Sequence, residues 1–284
     1  MEVSELHYRE HGPGRYTDVS PDVWARADRD GRYLLRIYAA VLSRRSRPVL
    51  RDLSAARVWG LPILGPWPRA VHVQGGNAVT VRATPTLTWH QDELPESDIT
   101  EVGGLLTTTR LRTMVDLARS QPFRSAVISL DAALQQRFVL PGGTIHPTIP
   151  QGRLLERVYA LRSDLDRTHA RAAAEFADCR AGTSGQSLSR AGMYLARLPI
   201  PELRAVCTHP TGEYSVDFRW DERFHVKRQP LLGEFDCEVH PGDPARDDRL
   251  RGLGHALTRW RWADAVRPER LRALLLDAGL RPNS

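Results

Sequence analysis

Leu232-Gly233-Glu234-Phe235-Asp236 is the stretch on which the reading of this chain turns. Apolar and acidic residues alternate along it. Side chains on a strand point to opposite faces in turn, so Glu234 and Asp236 share one face. Upstream, Ser215-Val216-Asp217-Phe218 reads as a neighbouring strand that brings Asp217 toward the same spot. Three converging carboxylates repel unless a divalent cation sits between them, and Mg²⁺ takes oxygen ligands in an octahedron that keeps several waters. One acid on a strand and an i, i+2 pair on the next is how many Mg²⁺-dependent nucleases hold their metal, which polarises the phosphate and activates water. Such nucleases usually place a lysine after the second acid. Here the run continues Cys237-Glu238-Val239-His240, so His240 is the expected general acid or base. Lys227 is the sole lysine and lies before the pair, so it could serve only if the hairpin folds it back. The competing reading is a solvated sheet face on which Asp217, Glu234 and Asp236 pair with Arg219, Arg259 or Arg261.

The surrounding pattern places these strands. Gln186 to Leu198 reads as a helix, followed by strands at Leu203–Thr208, Glu213–Trp220, Phe224–Arg228 and Leu231–Asp236. Ala245–Leu257 reads as a helix, Thr258–Trp262 as a strand and Pro268–Ala278 as a final helix. That order predicts an α/β/α sandwich around a small mixed sheet. Arg259-Trp260-Arg261-Trp262 would alternate, with the tryptophans packed under a helix. The arginines would then be solvated or line a phosphate track, extended by Arg246, Arg249 and Arg251. Before the break at Arg180–Gly185 the chain mixes helices and strands. Helical spacing runs over Tyr33–Leu42, Ser54–Gly60, Arg110–Ala118, Pro122–Phe138 and, with a break near Ser163-Asp164, Gln151–Cys179. Strand signals fall at Ala70–Gln74, Ala78–Arg82, Thr86–His90 and on either side of Gly103-Gly104. The expected fold class is therefore α+β, with a mixed helical and β region over 1–180 and an α/β/α domain over 181–284.

Composition sets outer limits. The chain has 284 residues, a formal net charge of +6 and 40 Lys+Arg residues, of which all but Lys227 are arginine. A basic balance favours polyanions such as DNA or RNA, and arginine binds phosphate bidentately; wholesale arginine usage also follows from a GC-rich genome. Three cysteines are too few for a disulfide framework and fit a reducing cytoplasm. The polar first residues hold no signal-peptide core, and no apolar run approaches a membrane span of about 20 residues. The pairs Cys207/His209 and Cys237/His240 depart from a zinc knuckle: the first is too close, and the second follows an acidic strand.

A family resemblance rests on several stretches in order. They are Ser54-Ala55-Ala56 with Trp59-Gly60-Leu61-Pro62, Val71-His72-Val73, Gly104 to Thr108, Arg110 to Ala118, Leu130 to Leu134, Ser187-Leu188-Ser189-Arg190, Val216-Asp217-Phe218, Gly233 to Asp236 and Arg259 to Asp264. With these the chain resembles actinobacterial AbiEi-type antitoxin-like proteins whose C-terminal domain is related to very-short-patch-repair endonucleases, of the PD-(D/E)xK kind. The resemblance implies a restriction-endonuclease-like fold over 181–284, DNA as a ligand, a cognate toxin protein as a partner, and Mg²⁺ as the metal of any surviving nuclease site. The N-terminal winged helix of many relatives is read as absent. Departures stand at the site. Gln186 occupies a position where relatives carry glutamate, an acid is missing near Gly182, Cys237 replaces a glycine, and His240 replaces the usual basic residue. The expectation is a cytoplasmic nucleic-acid-binding protein with a degenerate nuclease domain. Its site residues are Asp217, Glu234, Asp236, His240 and Gln186, and its phosphate contacts Arg246, Arg249, Arg259 and Arg261. The alternatives are a Mg²⁺-dependent DNA endonuclease and a protein-interaction module that binds no nucleic acid.

Overall fold

The computed structural model describes residues 21–75, 85–135, 138–140, 143–210, 212–237 and 243–282. The fold is mixed α+β. In chain order its elements begin with α1 (Pro21–Arg26), α2 (Arg29–Leu42), α3 (Asp52–Val58), β1 (Val71–Gln74), β2 (Leu87–His90), β3 (Ile99–Val102) and β4 (Leu105–Thr108). There follow α4 (Arg110–Ser120), α5 (Phe123–Leu134), β5 (Phe138–Val139), β6 (Ile145–His146), α6 (Gln151–Tyr159) and α7 (Asp164–Phe176). The last part holds α8 (Ser184–Leu195), β7 (Glu202–His209), β8 (Gly212–Trp220), β9 (Leu231–Phe235), α9 (Pro244–Gly252), β10 (Ala256–Trp260), α10 (Trp262–Ala265) and α11 (Pro268–Asp277).

The chain forms two compact units. The first comprises Met1–Gln121 and Gln136–Glu175, the second Pro122–Gln135 and Phe176–Ser284. Thus α5 groups with the C-terminal unit and not, as the division at 180 would have it, with the N-terminal region. α5 packs along α8, and a buried ion pair joins the two. Asp131 on α5 receives both Arg190 Nη2 on α8, at 2.9 Å, and the Asp178 backbone N–H. Arg190 also lies over the Phe176 ring, 4.1 Å from its centroid.

In the first unit, α2 starts at Asp28, whose carboxylate accepts the Gly31 N–H, and α4 starts at Thr109, which accepts that of Arg112. β1 and β2 pair in parallel with His72 opposite Thr88, so His72 and His90 lie diagonally on one face. The β3–β4 hairpin turns through Gly103 and Gly104, both at positive φ, which a side chain would resist. The 49–51 segment runs between these pairs, bonding Leu106, Thr108, His72 and Gln74 through its backbone. The buried Arg51 is bidentate to the exposed Asp92 at 2.8 and 2.9 Å and reaches the buried Asp116 at 3.2 Å. Arg112 binds the same two acids and Asp98. Burial works against the charge on Asp92, but Arg51 together with Arg112 and Arg119 holds its carboxyl down at about 2. Asp52, next in sequence, has no such donors. Burial pushes its carboxyl up to about 6, with Asp116 adding to the effect. His72 is lowered to about 4 by burial and by His90.

In the second unit the sheet order is β10-β9-β8-β7, with β10 and β9 parallel and the rest antiparallel. Helix α9 provides the crossover between the parallel strands. Ala205, Cys207, Val216 and Leu232 bury with Leu250 of α9. Elsewhere Phe218 stacks on Trp260, whose indole N–H donates to Ser189 of α8 at 2.7 Å. Close packing explains two glycines. A Cβ on Gly185 would lie 2.0 Å from the Phe235 ring, and one on Gly233 2.6 Å from Trp260.

Several local expectations change. Phe224–Arg228 is not a strand: Glu222–Phe224 is a 3-10 turn and His225 bridges to Leu280. Two hydrogen bonds pin the buried His225 ring, Nε2 to the Ala278 carbonyl and Nδ1 to the Lys227 N–H. The helix expected to reach Leu257 ends at Gly252, and the strand expected to reach Trp262 ends at Trp260. Trp260 is therefore buried, whereas Trp262 opens α10 and is 46% exposed, so the tryptophans do not share a face. The expected loop over 139–150 holds the short β5–β6 pair. The Ala78–Arg82 strand and the reading of residues 1–20 lie outside the described residues.

Candidate functional site

The sheet's acidic end is built from β8, β9, β10, α8 and α9. The β8–β9 ladder is registered through Phe218 opposite Gly233, and beyond it a side chain takes over. Asp217 Oδ2 accepts the Phe235 backbone N–H at 2.8 Å, and its Oδ1 accepts Gln186 Nε2 at 2.6 Å. Gln186 sits in the first turn of α8, which Thr183 caps. Its Oε1 accepts the Gly182 N–H at 2.7 Å, which fixes the amide with its NH₂ toward Asp217. An amide here donates to the carboxylate; a glutamate would face it with a second negative charge.

Glu234 and Asp236 meet arginines. Arg246 Nη2 on α9 lies 2.6 Å from Glu234 Oε1 and also donates to the Ser215 carbonyl. Arg259 on β10, in register with Glu234, donates to Asp236 at 2.6 Å and to both oxygens of Asp247 at 3.0 and 2.6 Å. Asp247, on α9, is a member of the site that strand periodicity could not find. On a helix crowded with charge only the fold distinguishes it from Asp248, whose partner is the exposed Arg251.

The set thus holds four carboxylates, Asp217, Glu234, Asp236 and Asp247, against two guanidiniums, Arg246 and Arg259. Burial pushes Asp217 up, opposed chiefly by the Phe235 N–H. Burial also raises Glu234, with Arg246 opposing and Asp217 reinforcing. Asp247 and then Asp236 hold the Arg259 guanidinium charged against its own burial. The structure brings Asp217, Glu234, Asp236 and Gln186 to one end of the sheet. It does not draw the three acids into ligand spacing. Among the described residues, the group whose candidate ligand atoms all lie within 4.8 Å of one another is Asp52, His72 and His90. For Mg²⁺ the fit is poor as arranged, because an arginine already sits on Glu234 and another on Asp236.

His240 lies outside the described residues. Of the four expected phosphate contacts, Arg246 and Arg259 are committed to internal ion pairs. Arg249 is exposed and reaches Tyr214, and Arg261 is exposed at the start of α10. Cys179, Cys207 and Cys237 are free thiols, Cys207 buried in the sheet's core. Among the described residues no helix is long and apolar enough to cross a membrane.

No family model matches the chain. No curated protein and no solved structure matches it.

Proposed function

We propose that the chain is a nucleic-acid-binding protein, of the antitoxin-like kind, whose C-terminal sheet descends from a nuclease and binds without cutting. One observation carries the reading: guanidiniums occupy Glu234 and Asp236, two of the three acids that would coordinate Mg²⁺. Gln186 in place of a carboxylate agrees with it. The excess of arginine and the exposed Arg249 and Arg261 supply contacts for phosphate. The test is fluorescence anisotropy on duplex DNA across a salt series. Salt-dependent binding is expected, and Arg249→Glu and Arg261→Glu should each lower the salt slope by about 1. No Mg²⁺-dependent cleavage is expected to accompany it. Binding to no nucleic acid at moderate salt would instead favour a protein-interaction module with a toxin as partner.

One observation favours a second reading, the Mg²⁺-dependent endonuclease. Among the described residues four carboxylates face two guanidiniums, an excess of negative charge that a divalent cation would balance. This reading requires Arg246 to leave Glu234 and Arg259 to leave Asp236 when metal binds. Mg²⁺-dependent nicking of plasmid DNA that is lost in Asp217→Ala would establish it over the first.

A further inference from the structure

We propose that Asp52, His72 and His90 form a zinc-type divalent metal site in the first unit, separate in composition and position in the chain from the acidic end of the sheet. One carboxylate oxygen and one nitrogen from each imidazole lie within 4.8 Å of one another. The ligands come from the first residue of α3, the middle of β1 and the last residue of β2. Two imidazoles with one carboxylate is a set that suits zinc and other first-row transition ions, and three protein ligands leave a position for water. Mg²⁺ prefers an all-oxygen shell and is excluded by the two nitrogens.

A second, independent observation points to a ligand. Asp52 is only 5% exposed, and its Oδ1 is buried with no hydrogen-bond partner. Buried carboxylate oxygens are seldom left so, because nothing replaces the water they lose. In contrast, the neighbouring Asp92 and Asp116 are both filled by arginines. Asp52 is also held at φ +48, in the left-handed region that a non-glycine residue rarely adopts. The carboxylate is bonded by the Ser120 hydroxyl and the Leu53 N–H, and Oδ1 is the oxygen left without a partner. The two rings are pre-paired: His72 Nδ1 and His90 Nε2 are 2.9 Å apart. Two nitrogens on a tetrahedral zinc with bonds of 2.0–2.1 Å stand roughly 3.4 Å apart, so the rings need to part by roughly half an ångström. The proton they share moves to the donor ring's other nitrogen, leaving both facing lone pairs for the metal.

The supports for such a site are present. The Ser54 hydroxyl accepts the His72 backbone N–H at 2.8 Å and is itself tied to the Tyr33 hydroxyl at 2.8 Å, which fixes β1 at His72. The Ser120 hydroxyl bonds the Asp52 carboxylate. Outer partners of this kind orient metal ligands. Arg51, a cation beside the site, is already matched by Asp92 and Asp116, so its charge is not free to exclude a metal. The strand that carries His72 pairs with the 49–51 segment leading into Asp52, so a metal here would lock α3 onto β1 and β2.

The test uses the full chain, stripped with chelator and titrated with Zn²⁺ by calorimetry and with Co²⁺ in the visible range. Expected are one zinc per chain, cobalt bands of four- or five-coordinate intensity, and retention of zinc in excess Mg²⁺. His90→Gln and His72→Gln should each weaken zinc by more than the roughly 10–100-fold typical of losing an outer partner, and Cys237→Ser should leave it unchanged. Circular dichroism shows whether the variants fold. X-ray absorption on the zinc-loaded natural protein needs no variant and should show two imidazoles and no sulfur. No saturable zinc uptake, uptake indifferent to His90→Gln in a folded variant, or sulfur around the metal would each overturn the site.

Discussion

The two units carry two polar centres of opposite character. At the acidic end of the sheet, the acids that look like metal ligands in the sequence are answered by protein donors: Asp217 by Gln186 and a backbone N–H, Glu234 by Arg246, Asp236 by Arg259. In the first unit three residues far apart in sequence converge, and one oxygen of the carboxylate among them is answered by nothing. The difference teaches that residue type and spacing nominate ligands, but the neighbours decide whether a ligand is available. Arginines fill the first centre; beside the second they are spent on Asp92 and Asp116.

The sharpest way to break this comparison is Arg51→Met. It leaves Asp92 and the buried Asp116 short of a charge partner and should cost about 3–5 kcal/mol, read by denaturant unfolding. A loss under about 1 kcal/mol would mean that the cluster does not organise the unit. Ser54→Ala comes next. It strips a partner from the His72 N–H and the buried Tyr33 hydroxyl, at about 1–3 kcal/mol, without touching a ring nitrogen. At the sheet, Gly185→Ala drives a methyl into Phe235 and should cost about 1–3 kcal/mol, disturbing the Gln186–Asp217 contact that follows it. The smallest effect on stability is Arg246→Ala, about 1 kcal/mol for a partly buried pair. Its value lies elsewhere. Freed of its guanidinium, Glu234 should take up Mg²⁺ measurably by calorimetry, more so combined with Gln186→Glu. Unchanged Mg²⁺ uptake in the double variant would show that something beyond the arginine keeps metal out.

Much of this architecture is legible in residue order. The period-2 stretches became β7, β8 and β9, Gly103-Gly104 became a hairpin turn, and the Ser163-Asp164 break parts α6 from α7. Asp217, Glu234 and Asp236 could be grouped because strand alternation is a local signal, whereas Gln186 was nominated only by the family resemblance. Three things were missed. Phe224–Arg228 has strand-like residues but gains its pairing only at His225, from Leu280. The end of β10 depends on Asp264 bonding the Arg261 N–H and starting a helix where Trp262 would have extended the strand. Asp52, His72 and His90 have no common period. They meet because β1 and β2 run parallel and Asp52 takes a left-handed turn, neither of which a spacing rule expresses.

The grouping of α5 with residues 176–284 has a consequence for how the chain is made. On a ribosome α5 emerges well before α8, and some forty residues of the first unit are synthesised in between. During that interval α5, with its buried Ala126, Val127, Ile128 and Leu130, lacks α8, and Asp131 has no Arg190. The first unit can close only by looping this helix out, and the second can start only once its own later half arrives. Synthesis therefore passes through a stage in which an apolar helix must be tolerated in the open, and a chain stopped near residue 175 should be trapped there, sticky and prone to aggregate.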